Sequence, residues 1–140
     1  MKIKKLAFIL AILLAVAALS ACSNAGAITV GGEQLNFAKL DITDTYAGIT
    51  PAQGNQILTV KYLTQSQSPD LTKISEAFFG QTPSTISDGT NSYPCKSIAF
   101  ENSGGKIIVT LLFEVPSTLK SETKTLTLSG STFAPIDLKL

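Results

Sequence analysis

Alternation of apolar and polar side chains, the period of a half-buried strand, recurs in several segments of the chain after residue 27. In Gln56 to Leu63, Leu58, Val60 and Tyr62 fall on one face while Thr59 and Lys61 fall on the other. Lys106 to Val115 carries Ile107, Val109, Leu111 and Phe113 on one face and Ile108, Leu112 and Glu114 on the other. Apolar residues on both faces predict a central strand, which Pro116 stops. Leu126 and Leu128 alternate with Thr125, Thr127 and Ser129. A last strand is expected over Phe133 to Leu140, with Phe133, Ile136, Leu138 and Leu140 as its apolar set.

Turn chemistry separates these segments. Ile28-Thr29-Val30 followed by Gly31-Gly32 predicts a strand entering a tight hairpin. The alternation of Gln34 to Tyr46 slips between Phe37 and Leu40, which predicts a bulge or a break. Gly48, Pro51 and Gly54 mark a loop. Ser92 to Phe100 predicts a strand closed by Asn102-Ser103-Gly104-Gly105 onto the central one. Gln81 to Asn91 is polar, has Ile86 as its one large apolar residue, and is read as a loop with a turn at Asp88-Gly89.

Two stretches break the period of two. Leu71, Ile74 and Phe78 recur at helical spacing, Asp70 is placed to cap them and Gly80 to end them, so one or two helical turns are expected. The other stretch is apolar and uncharged from Leu6 to Leu19, behind Lys2, Lys4 and Lys5 and ahead of Leu19-Ser20-Ala21-Cys22. A basic head, an apolar middle and a small-residue exit are the parts of a secretory signal peptide. As a helix the run reaches only about 21 Å, against a hydrocarbon core of about 30 Å. The alternatives are an uncleaved anchor helix extended to Ala27, and cleavage at Ala25-Gly26-Ala27 that releases the protein.

The four residues ending at Cys22 resemble the lipobox of bacterial lipoproteins. That resemblance implies that Cys22 becomes the first mature residue and that its thiol carries a diacylglyceryl group, with a third chain on the new amino terminus a further option. Each buried methylene contributes about 0.8 kcal/mol and a single chain binds only marginally, so two or three chains make the durable anchor. The expected organisation is a leader over residues 1–21, a lipidated tether over 22–27 and one domain over 28–140. The implied location is the extracytoplasmic face of the cell membrane.

Charge and cysteine count add exclusions. Lys2, Lys4 and Lys5 leave with the leader, so 8 of the 11 basic residues stand against 10 acids, with no His and no Arg. Nucleic-acid binding is not expected of such a chain. Cys22 taken, Cys95 has no intramolecular partner. A buried thiol is the favoured reading, and an intermolecular bridge or a reactive thiol near Lys96 are the alternatives.

Seven or eight short strands and one short helix predict an all-β fold, read as a β-sandwich. Ile57 to Leu63, Asp88-Gly89 with Tyr93, Ile107 to Pro116 and the Leu126–Leu128 strand resemble the immunoglobulin-like domains of unknown function in secreted lipoproteins, chiefly of Gram-positive bacteria. The Leu71–Phe79 insertion and the low charge of Thr82–Tyr93 depart from that pattern. The resemblance implies a fold and a location and no activity.

No enzyme is expected. A chain without His cannot build a Ser-His-Asp triad or an imidazole metal site. Asp41 and Asp44 are three apart, on opposite faces of a regular strand. A hard-cation site from Asp41, Asp44 and Asp88 lacks any spaced calcium motif. No cofactor is expected. The candidate contacts for an envelope protein or ligand are Phe78, Phe79 and Tyr93, with at least one of the two Phe expected to plug the sandwich instead. The alternative is a structural or accessory subunit of an envelope complex, acting through an exposed edge strand.

Overall fold

The computed structural model describes residues 26–119 and 125–140. The expected leader, the expected lipidation site at Cys22 and most of the expected tether lie outside the described residues. Among the described residues the fold is mostly β, with eight antiparallel strands and one helix described over its full length. The strands are β1 (Ala27–Val30), β2 (Glu33–Thr43), β3 (Asn55–Thr64), β4 (Thr85–Ser87), β5 (Ser92–Ser103), β6 (Lys106–Pro116), β7 (Thr125–Ser129) and β8 (Ile136–Lys139). The helix α1 spans Leu71–Phe79. The strand order is β1-β2-β3-β6-β5-β4-β7-β8 in one continuous sheet.

The central position of Lys106–Pro116 is as expected, since β6 pairs with β3 on one side and β5 on the other. Rows of inward side chains run across these strands, such as Leu40–Val60–Leu111–Ile98 and Ile42–Leu58–Phe113–Cys95. In both rows the β3 and β6 members are fully buried and the β2 members half-buried. The expected slip in β2 is a bulge at Ala38, where the pairing with β3 steps from Phe37 to Lys39.

The sheet changes partners within one strand. Ser92 to Pro94 pair with β4, and Cys95 to Ser103 pair with β6 around a second bulge at Lys96. An extra residue kinks and twists a strand, and this one lies where β4, β7 and β8 join the larger set. Leu126, Leu128, Leu138 and Ile86 belong to the same buried cluster as Leu58, Val60 and Phe113.

Asp70 caps α1, its Oδ1 accepting from the Lys73 N–H at 3.1 Å. Ile74, Ala77 and Phe78 are the helix face in the core. Phe78 stacks on Tyr62 at a centroid distance of 6.3 Å and meets Phe133 at 5.4 Å. The helix is closed by buried Ser84, whose N–H and hydroxyl both donate to the Phe78 carbonyl at 2.9 and 2.8 Å. The Ser84 carbonyl accepts from the Cys95 N–H at 2.7 Å, tying the helix end to β5.

Two segments differ from expectation. Thr85–Ser87, read as loop, is a strand whose Ile86 is fully buried. The last strand, expected over Phe133 to Leu140, covers only Ile136–Lys139, so Phe133 lies in the bend before it and Leu140 beyond its end is 42% exposed.

Candidate functional site

The expected contact residues separate. Phe78 has no accessible surface, so it is a core residue with nothing to offer a partner. Phe79, the next residue on the helix, points away from the core and is 43% exposed. Tyr93 is half-buried, and its hydroxyl donates to Asp88 Oδ2 at 3.4 Å. Asp88 Oδ1 accepts from the Thr90 and Asn91 N–H groups at 2.8 and 2.7 Å, and these bonds hold its pKa below the usual value. The Asp88–Tyr93 pair therefore fastens its own turn.

Cys95 is buried, and its Sγ contacts the Ser97 carbonyl at 3.3 Å. Burial pushes its pKa up, which suppresses the thiolate that redox and nucleophilic chemistry need. Asp41 and Asp44 do not converge. Asp41 pairs with Lys39 at 3.3 Å and Asp44 accepts from the Gln56 amide at 2.9 Å. Among the described residues no group of three acidic or thiol side chains is placed to hold a metal ion.

The free edge of β2 is occupied by its own side chains. Beyond Asn36 that strand pairs only with β3 among the described residues. The bulge at Ala38, the Lys39–Asp41 pair and the Asp41 carboxylate accepting the Ile42 N–H at 3.0 Å all blunt it.

A site that the sequence did not point to lies on the outer face of the sheet. Tyr46 and Ile49 exchange backbone hydrogen bonds of 3.2 and 2.8 Å around Ala47-Gly48, both with positive φ. That tight hairpin projects the chain over β3 and β6, with the Lys61 ammonium 5.4 Å from the Tyr46 ring centroid. The following turn is held by Glu114, whose Oε1 accepts from the Ala52 N–H and from the Asn55 amide. These bonds, the Ala52 one foremost, keep the Glu114 pKa low.

Between this loop and the sheet is a cleft of about 220 Å³. Ile57 and Leu112, each 3% exposed, form its floor, Ile49 and Pro51 one wall, and Lys96 and Glu114 its charged rim. Lys96 is the extra residue of the β5 bulge, which aims it at this rim. A second hollow of about 230 Å³, bordered by Gly31, Lys73, Glu76 and Thr132, is shallower and more open. The first is the better candidate because its floor is apolar and buried while its rim carries charge.

No helix among the described residues is long and apolar enough to cross a membrane. No family model matches the chain, and no curated protein or solved structure is significantly similar to it.

Proposed function

We propose that the protein is a cell-envelope lipoprotein, anchored through acyl chains on Cys22 at the extracytoplasmic face of the membrane, whose β domain is a binding module for a protein or ligand. The observation that carries this reading is Leu19-Ser20-Ala21-Cys22 behind a basic head and an uncharged apolar run. Support for binding over catalysis comes from a sequence without His, a Cys95 thiol kept protonated by burial and acidic side chains spent on turns and pairs. Phe79 is the contact residue retained from the sequence reading, with Tyr93 beside its turn. An immunoglobulin-like sandwich is part of the same proposal. It is supported by the change of partners at the Lys96 bulge and by the buried cluster that side chains of β4, β7 and β8 share with those of β3 and β6.

The accessory-subunit reading draws on β8, which among the described residues pairs with β7 on one side only and ends beside exposed Leu140. Metabolic labelling with palmitate tests the anchor. The wild type should incorporate label and Cys22→Ala should not; equal incorporation by both, or an amino terminus at Ile28 without lipid, overturns the proposal.

A further inference from the structure

Three unusual features converge on the outer-face cleft. The β5 bulge turns Lys96 out of the ladder at its rim. Ala47, the one described non-glycine residue with positive φ, shapes the hairpin above it. Ile49, on that hairpin, is 43% exposed directly beside a buried apolar floor. Bulges and left-handed non-glycine residues concentrate at functional sites because they re-aim side chains at a local cost.

The two rim charges are not equivalent. Glu114 is committed to the Ala52 N–H and the Asn55 amide and serves to hold the loop down. The Lys96 ammonium makes no side-chain hydrogen bond and no ion pair within 4.0 Å among the described residues, and it acts on Glu114 only through space, as the last and smallest of the influences that lower that carboxyl's pKa. The charge left for a ligand is therefore a cation, standing next to an apolar hollow. The volume decides the size: about 220 Å³ is below the roughly 300–1,000 Å³ of pockets that enclose drug-sized ligands, and suits one aliphatic group.

We propose that this cleft binds a small apolar carboxylate, its aliphatic body on Ile57 and Leu112 under Ile49 and its carboxylate against the Lys96 ammonium. A free short-chain acid and the apolar C-terminal residue of a peptide offer the same chemistry. The inference rests on the reading of the domain as a binding module and is independent of the lipid anchor. Lys96 is solvent-exposed, so its pairing adds a selectivity of a few-fold that weakens with salt.

The test is a titration of the full chain in lipid nanodiscs, followed by amide and methyl NMR, with N-acetylleucine, its carboxamide and hexanoate as probes. Saturable shifts at Ile49, Ile57, Lys96 and Leu112 in the millimolar range are expected, with the acid binding about three- to fivefold tighter than the carboxamide. Lys96→Met should abolish that difference while leaving carboxamide binding in place, and Ile49→Ser should weaken both. Tighter binding of hexanoate assigns the free acid, and tighter binding of N-acetylleucine the peptide end. Absence of saturable shifts, equal affinity for acid and carboxamide, or a difference that survives Lys96→Met overturns the site. Loss of palmitate labelling alone would leave these results intact, so the two failures are distinguishable.

Discussion

Gly31 and Lys73 touch: a methyl group added to Gly31 would stand 2.6 Å from Lys73 Cβ and 3.1 Å from its carbonyl carbon. This contact seats α1 against the β1–β2 hairpin, and Gly31 also has a φ of 56°. Gly31→Ala is expected to cost about 2–3 kcal/mol, the sum of left-handed strain and overpacking. Gly32, with positive φ and open space around it, isolates the first effect, and Gly32→Ala should cost only about 1–2 kcal/mol. Urea denaturation of the two variants measures both, and equal losses would show that the helix yields at Lys73.

Phe78 and Phe79 should respond oppositely to truncation. Phe78→Ala removes a fully buried ring stacked on Tyr62 and tilted against Phe133, at an expected cost of about 3–5 kcal/mol. Phe79→Ala should fall within about 0.5 kcal/mol of the wild type. Thermal unfolding distinguishes the two.

Alkaline pH should destabilise the fold through two buried acids. Burial raises the pKa of Cys95 above 9.0 and that of Tyr62 above 10.0, and the Tyr62 hydroxyl has no hydrogen-bond partner among the described residues. The unfolded chain releases these protons first, so stability is intact below pH 9 and falls as pH rises through 9 and 10. Tyr62→Phe should flatten the upper part of that decline and at pH 7 leave stability equal or raised by about 1 kcal/mol, since it deletes an unpaired buried donor. Cys95 should resist iodoacetamide in the native protein and react fully in denaturant, and rapid native labelling would contradict its burial.

Acid should loosen the loop over the cleft. Glu114 has its pKa lowered from 4.5 chiefly by the Ala52 N–H, then by Asn55. Its contribution is complete above pH 4.5 and is lost as pH falls through the lower folded value. The protection factor of the Ala52 amide, its exchange rate taken relative to the intrinsic rate at the same pH, should fall at low pH, and Glu114→Gln should show a reduced protection factor already at pH 7.

Local patterns in the sequence announced local structure well. The Gly31-Gly32 hairpin, the slip after Phe37, the Asp70 cap and the two-faced β6 each follow from neighbours within a few residues. Thr85–Ser87 escaped because three residues with a single apolar one show no period, and Ile86 is a strand residue only through its contacts with Tyr93 and Leu128. The placement of β3 beside β6 was equally hidden, as nothing near Leu58 names Phe113 as its neighbour. The cleft depends on the same long-range information. Ala52 and Glu114 are 62 positions apart, and Ala47-Gly48 is a weak turn signal compared with Asn-Gly. Phe78 and Phe79 are identical letters, and only the helix phase against Tyr62 says which one is wet.

The seam between β3 and β5 is filled by β6, a strand encoded late in the chain. Until residues 106–116 are available, β2–β3 on one side and β4–β5 on the other have no shared neighbour to bridge them. A nascent polypeptide therefore gains little by starting early, and its exposed edges depend on what shields them in the meantime. Truncation anywhere before Lys106 should yield protease-sensitive fragments and no half-domain, so viability of the whole product hangs on finishing it.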